Sequence, residues 1–320
     1  MDRFVILLLG QAFDALVGDP EALWRRVPHP VVLAGRLIGW LDRNWNDDGD
    51  PPSRRRDRGI AAIAVVLLAA VAVGAVASGI LAGLGFPGGL LEAAAVGVLL
   101  AQRSLHDHVT AVADAFLRDG LTGARHAVAA IVGRDPEALD AAGVCRAAIE
   151  STAENFTDGV VAPAFWYLVA GLPGLLAYKA LNTADSMIGH RSDRHRQFGW
   201  AAARLDDLAN WAPARLSALL VVAAAWTMPD GEPAAAWRAV RRDAGRHRSV
   251  NAGWPEAAFA GALGLRLAGP RTYHGTSVDD AWMGDGRAEA TPEDVRRALA
   301  LLRRACVGLA VLAVALAIGS

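Results

Sequence analysis

The sequence predicts an all-α fold: a polytopic helical integral membrane protein with about four to six membrane helices. At least one of these is expected to be broken or re-entrant, and amphipathic cytoplasmic helices are expected beside them. Three observations predict it. Hydrophobic residues make up 53% of the 320-residue chain and charged residues 20%, with a mean hydropathy of +0.27. That is too apolar for an ordinary soluble domain and too charged for helices that face only lipid. Ile60–Leu84 carries no charge and is long enough to span a bilayer. Gly159–Tyr178 is apolar but interrupted by Pro163 and by Gly171-Leu-Pro-Gly174. Backbone groups freed by such breaks are tolerated at membrane depth only where protein or a water-filled cavity covers them.

Phe4–Val17 is an apolar helix of marginal length for spanning. The first ten residues look like a short signal core, but no small-residue cleavage site follows and Asp14 comes quickly, so the segment is read as part of the mature protein. Gly18-Asp19-Pro20 and His29-Pro30 signal turns. Asp47–Arg58 is charged and contains proline, which predicts a mobile loop over about 44–58. After the Ile60–Leu84 span, Phe86-Pro-Gly-Gly89 signals a turn, and Leu90–Ala101 a shorter apolar helix containing Glu92. Arg103–Ile149 predicts soluble amphipathic helices with a break at Gly133-Arg-Asp-Pro136, within a cytoplasmic insert over about 103–158. Ala212–Met228 is a further membrane segment, Gly253–Gly269 is apolar and glycine-rich, and Val307–Gly319 closes the chain. No internal repeat is evident, and one helical membrane domain is expected. Arg54, Arg55, Arg56 and Arg58, and later Arg303 and Arg304, place the starts of their helices in the cytoplasm. Arginines flank Gly159–Tyr178 on both sides, which a re-entrant segment accommodates.

The net charge of −1 gives no basic excess for nucleic acid. Cys145 and Cys306 are far apart and form neither a disulfide framework nor a zinc pattern. There is no Gly-x-x-x-x-Gly-Lys loop and no Gly-x-Gly-x-x-Gly fingerprint, so any nucleotide must be held by metal and side chains.

The chemistry-bearing residues concentrate between Glu150 and Arg215. Glu150, Glu154 and Asp158 are spaced by four, which on a helix puts them on one face, where like charges repel unless something cationic sits among them. Such oxygen donors suit Mg²⁺, which reaches protein through one or two carboxylates plus substrate phosphates; the same spacing suits a solvated acidic face. Lys179, the only lysine, shares a helical face with Asn182, Asp185 and Ser186. Arg204, Asp207 and Asn210 repeat the arrangement, with Asp206 adjacent. A lysine neutralises phosphate as a point charge and arginine grips it bidentately. Intramembrane salt bridges that only join helices are the plain alternative. Three such clusters in one short stretch favour a phosphate and metal site. His29 with Asp14 and Asp19, and His106 with His108, are weaker signals, and His-x-His does not put both rings on one helical face. Arg246–Pro255 is a second polar approach to an apolar stretch.

Together these motifs resemble the CobD/CbiB family of membrane proteins in cobalamin biosynthesis. The resemblance is carried by Asp14 with Gly18-Asp-Pro20, His29-Pro-Val31 with Gly35, and Arg103-Ser-Leu105. Glu150-Ser-Thr-Ala-Glu-Asn155 and Asp158-Gly-Val-Val-Ala-Pro163 follow, then the longest match, Tyr178-Lys-Ala-Leu-Asn-Thr-Ala-Asp-Ser-Met-Ile-Gly-His-Arg191. It continues through Phe198-Gly199, Ala203-Arg-Leu-Asp-Asp207, Asn210, Pro213-Ala-Arg215, Asn251-Ala-Gly253, Pro255, Ala260-Gly-Ala-Leu-Gly264 and Gly269-Pro270. His195, Val250 and Phe259 depart from the family pattern, which commonly has tyrosine, proline and methionine there.

The resemblance implies adenosylcobinamide-phosphate synthase activity in the cytoplasmic membrane: adenosylcobyric acid is joined to aminopropanol phosphate, or ethanolamine phosphate, in an ATP-driven amide ligation. Corrinoid, amino-alcohol phosphate, the lipid bilayer and other cobalamin-pathway enzymes become the expected partners, and Mg²⁺ and ATP the expected cofactor and co-substrate. On this reading Glu150, Glu154, Asp158, Asp206 and Asp207 are candidate metal ligands. Lys179, Asp185, His190, Glu154 and His29 are candidate catalytic groups, with His29 or His190 as base. Asn155, Asn182, Ser186, Arg191, Arg204, Asn210, Arg215 and Asn251 are candidate substrate-binding groups. Two other classes remain open at this point. One is a Mg²⁺-dependent membrane prenyl- or phosphotransferase, although Asn182-Thr-Ala-Asp185 and Asp206-Asp-Leu-Ala-Asn210 do not fit an Asn-x-x-x-Asp-x-x-x-Asp pattern. The other is a corrinoid-binding scaffold or transporter.

Overall fold

The computed structural model describes residues 1–19, 24–132, 136–273, 276–278 and 280–319, the short strands at 271–273 and 276–278 by backbone alone. Pro20 of the first expected turn and Gly133, Arg134 and Asp135 of the expected break lie outside the described residues. In chain order the described helices are α1 (Arg3–Val17), α2 (Pro30–Trp45), α3 (Pro52–Gly83), α4 (Phe86–Leu99), α5 (Gln102–Val128) and α6 (Ala141–Phe156). A π-helical stretch, Thr157–Val161, precedes α7 (Ala162–Ile188). Then come α8 (Trp200–Ala209), α9 (Trp211–Ala225), α10 (Pro233–Asp243), α11 (Gly253–Leu263), four short strands and α12 (Pro292–Gly319). The fold is all-α, as the sequence predicts; among the described residues the strands form two antiparallel pairs, β1 (Leu267–Ala268) with β4 (Trp282–Met283) and β2 (Arg271–Tyr273) with β3 (Thr276–Val278).

Among the described residues three helical runs are long and apolar enough to cross a membrane: Pro52–Gly83, Ala141–Ile188 and Pro292–Gly319. A fourth arises if Trp200–Ala209 and Trp211–Ala225 count as one broken span, which reaches the lower end of the expected range. The chain divides into two compact units: residues 1–100 with 162–210, and residues 101–161 with 211–320.

In the first unit, α3 runs about 48 Å at 1.5 Å per residue, longer than the hydrocarbon core of a bilayer. Its outward face is apolar: Leu68, Val73, Val76 and Ile80 are all exposed. The opposite face closes a core of Ile38, Leu41, Ile63, Val66, Leu181 and Phe198 with neighbouring alanines. Small residues let these helices approach closely. A Cβ on Gly59 would lie 1.9 Å from the Phe198 carbonyl oxygen, and one on Gly74 2.5 Å from Pro173 Cα.

Several boundaries differ from expectation. The loop expected over about 44–58 is instead the end of α2, a short link and the first turns of α3, because Pro52 sits in the first turn where proline favours helix. Arg54 and Arg58 pair with Asp50 and Arg55 with Asp48, so the arginines of the first turns are neutralised by ion pairs. Phe86-Pro-Gly-Gly89 is likewise the first turn of α4, with the actual turn at Leu84–Gly85. The break in α7 is at Ala170 and Gly171, where Gly171 adopts φ +64°; Pro163 sits undisturbed in the first turn.

In the second unit, α6 is not amphipathic as expected for this stretch: Val144, Cys145 and Ala147–Ala153 are all buried, because a run of small residues packs on every side. In α11 only Trp254 escapes burial, the pattern of a helix enclosed by protein. Gly264 then takes the left-handed cap conformation and turns the chain into β1, so the expected Gly253–Gly269 segment ends as a helix at Leu263. Helix α12 leaves Val307, Val311, Val314 and Ile318 exposed along one face.

Candidate functional site

The last turns of α7 carry Lys179, Asn182, Asp185 and Ser186, and α8 carries Arg204, Asp206 and Asp207 with Asn210 as its C-cap. The two segments meet. Asn210 Nδ2 donates to Asp206 Oδ2 at 3.0 Å, and Asn182 Nδ2 approaches Asp206 Oδ1 at 3.5 Å. The buried Tyr178 hydroxyl donates to Asn210 Oδ1 at 2.9 Å. Asp206 thus lies between two amides, with Asp185 and Asp207 close enough for the three carboxylates to repel one another. Gly189 abuts Asp185: a Cβ there would fall 2.0 Å from Asp185 Oδ1. Lys179 is half-buried and lines an otherwise apolar pocket of about 210 Å³ with Pro30, Leu37, Val66, Val73 and Leu176. The sequence therefore identified two faces that the fold joins.

The remaining expected residues of this unit are peripheral. Ser186 Oγ is turned back onto the Asn182 carbonyl at 2.9 Å. His190 and Arg191 are exposed past the end of α7, where a charged His190 would face Asp185. Arg204 pairs with Asp207 at 3.4 Å on the surface. His29 caps α2, its Nδ1 accepting from the Val31 N–H at 3.1 Å. His195, where the family commonly has tyrosine, places Nε2 3.5 Å from Asp42 Oδ1. Burial raises the Asp42 carboxyl, but hydrogen bonds from Asn46 and Arg194 outweigh it and hold Asp42 below the usual carboxylate range.

In the second unit the acidic trio does not share a face. Glu150 is buried and accepts the Ala268 N–H at 2.8 Å, Glu154 is exposed, and the π-helical stretch rotates Asp158 out of the α-helical register. Asn155 donates to the Ser151 carbonyl at 2.9 Å and to Ser151 Oγ at 3.1 Å. Arg215 is clamped between the rings of Trp211 and Trp254, at 4.3 and 4.4 Å, and donates to Asn251 Oδ1 at 3.3 Å.

Sequence reasoning missed Tyr178, Trp211, Trp254 and Gly189 as supports. A buried tyrosine needs a hydroxyl partner, which flags Tyr178 beside Lys179. Tryptophans near an isolated arginine flag the clamp. Among the described residues no three His, Cys, Asp or Glu side chains converge on a metal-sized centre. The donors nonetheless suit a hard cation held by one or two carboxylates, with phosphate and water completing its shell.

The sequence model of the CobD/Cbib protein family matches residues 7–302. The chain is 54% identical over 312 residues to a cobalamin biosynthesis protein CobD of Sinorhizobium fredii, covering 97% of this chain and 95% of that protein. It is 52% identical to the protein of that name from Brucella suis, over 93% and 92% of the two chains. It is 46% identical to that of Rhodobacter capsulatus, over 97% and 96%. No solved structure matches at a significant level. With matches of this length and identity, on a helical fold that carries membrane-grade spans, the chain belongs to the CobD/CbiB family and acts in cobalamin biosynthesis.

Proposed function

We propose that the protein catalyses ATP-dependent amide formation between adenosylcobyric acid and aminopropanol phosphate, or ethanolamine phosphate, giving adenosylcobinamide phosphate at the cytoplasmic membrane. The observation that carries this reading is the junction of α7 and α8, where two asparagines and three carboxylates gather, with Lys179 one turn before Asn182 on a membrane-grade helix, in a chain of this family.

A carboxylate does not condense with an amine unaided. ATP converts it to an acyl phosphate with loss of ADP; the amine then attacks the acyl carbon and phosphate leaves. Both steps move negative phosphoryl oxygens, so fixed cations and oriented donors lower the barrier. Lys179 supplies a point charge at the edge of the apolar pocket. Asn182 and Asn210, held by Tyr178, orient Asp206. In the second unit, the Trp clamp pre-sets the Arg215 guanidinium for an anion. Asp206 and Asp207 are the carboxylates that would hold Mg²⁺, which would neutralise phosphoryl charge. Other enzymes of the pathway are proposed partners through the shared corrinoid.

The test is amide formation by detergent-purified protein with adenosylcobyric acid, Mg²⁺, ATP and either amine, read by mass spectrometry. Product with one amine establishes the reaction and names the substrate. No product with either, from folded protein that still binds corrinoid, overturns it in favour of a scaffold.

A further inference from the structure

The second unit contains a cleft of about 430 Å³ lined by Ala101, Ser104, Leu105, His108, Asn155 and Ala130–Val132. Its polar groups can all accept a hydrogen bond: the Ser104 hydroxyl accepts as well as donates, and the Ile131 carbonyl, which takes the Ser151 hydroxyl at 2.6 Å, has a second lone pair. His108 Nδ1 lies 2.7 Å from the Ser104 carbonyl oxygen. A carbonyl only accepts, so Nδ1 carries a proton, and in the neutral ring Nε2 keeps its lone pair. Asn155 spends its Nδ2 on the Ser151 carbonyl and hydroxyl, which leaves Oδ1 as the amide atom that can accept. Ala130–Val132 follows directly on the C-terminus of α5, where the helix dipole places partial negative charge. The nearby Arg103 is paired with Asp107 at 2.7 Å. A ring nitrogen, an amide oxygen and helix-end carbonyls together fit a ligand that brings several N–H donors and positive charge.

We propose that this cleft seats the primary ammonium of the amino-alcohol phosphate, and that His108 Nε2 is the base that activates it. The inference rests on the amide-forming reaction proposed above. The ammonium gives one proton to His108 Nε2, exposing the nitrogen lone pair. Nitrogen attacks the acyl carbon, the C–N bond forms and the C–O bond to phosphate breaks. The second proton departs with the phosphate, so the step yields amide, hydrogen phosphate and the His108 imidazolium. An ammonium of this kind is also presented by phosphatidylethanolamine, so the experiment separates the soluble amine from the lipid.

The assay is steady-state amide formation with ethanolamine phosphate in phosphatidylglycerol nanodiscs, with binding of the amine measured separately by calorimetry. His108→Gln, which keeps an acceptor but cannot take a proton, is expected to retain amine affinity and lose about 100-fold in kcat. His108→Ala is expected to lose a similar factor in kcat, and exogenous imidazole to restore part of it, which a merely structural role would not allow. Choline phosphate, lacking N–H donors, is expected to bind at least about tenfold more weakly. If wild-type protein forms amide while both variants keep their kcat and amine affinity, the inference is wrong and the reaction stands. If wild-type protein forms no amide, the reaction itself falls. Phosphatidylethanolamine that displaces ethanolamine phosphate from wild-type protein, with kcat unchanged in the variants, would make the cleft a headgroup site and overturn the proposal.

Discussion

The Tyr178 hydroxyl donates to Asn210 Oδ1 at 2.9 Å, and this fixes which way the asparagine amide points. With its oxygen committed, Asn210 turns Nδ2 toward Asp206 Oδ2 at 3.0 Å. A phenol one residue before Lys179 thereby sets the orientation of a carboxylate on another helix. Tyr178→Phe removes the donor and leaves a buried amide oxygen short of a partner, at a cost of about 1–3 kcal/mol. The variant is expected to unfold at lower temperature and to form amide about tenfold more slowly. Parallel thermal melts and turnover assays check both; unchanged turnover in a destabilised variant would restrict Tyr178 to packing.

Lys179 and Asp185 lie six residues apart in the last turns of α7, on either side of Asn182. Lys179→Met removes the sole lysine while keeping the aliphatic stem against Leu37 and Val66. Asp185→Asn keeps the shape next to Gly189. Each is expected to lose about 100-fold or more in amide formation with little change in melting temperature. Normal turnover in both folded variants would remove the α7 cluster from the chemistry.

The sequence made these residues visible because ionisable groups beside apolar runs stand out, and the break in α7 was legible from Gly171 and Pro173. Other features were invisible for physical reasons. Pro51 and Pro52 with four nearby arginines look like a loop, yet proline in a first turn and paired arginines start α3. The spacing of Glu150, Glu154 and Asp158 promised one face, but a π-helical stretch changes the register, and the Ala268 N–H that engages Glu150 is more than a hundred residues away in sequence. Nothing in a linear pattern announces a contact made through a two-residue strand.

The close approach of α3 to the segment before α8 gives a prediction with a built-in control. A methyl at Gly59 would sit 1.9 Å from a backbone oxygen, whereas nothing lies within 4 Å of one at Gly79 on the same helix. Gly59→Ala is therefore expected to destabilise the protein by at least about 2 kcal/mol through a backbone shift. Gly79→Ala is expected to be neutral or to stabilise by up to about 1 kcal/mol from helix propensity. Melting temperatures in detergent decide, and equal effects at the two positions would show that the helices do not meet at Gly59.

Asp243 offers a pH dependence whose sign follows from its partners. It is 2% exposed, accepts from Arg242 Nε and Nη2 at 2.8 and 2.7 Å, and accepts from the Gly284 N–H at 2.9 Å. Burial raises the carboxyl, but the Arg242 and Gly284 hydrogen bonds outweigh it and leave Asp243 below its ordinary value. Asp285, also held by Arg242, is lowered as well, chiefly by that hydrogen bond. For a carboxyl depressed in the folded state, the stabilisation is fully present above the unfolded value, about 3.9, and is lost as pH falls through the folded value. Stability from this site is therefore flat from pH 7 down to about 4 and declines below it. Asp243→Asn is expected to cost about 1–2 kcal/mol at pH 7, a range reduced because Arg242 is partly exposed. It is also expected to make the decline below pH 4 shallower than in wild-type protein. Melting curves from pH 3 to 7 test this, and parallel declines in the two proteins would show that Asp243 does not carry the acid sensitivity.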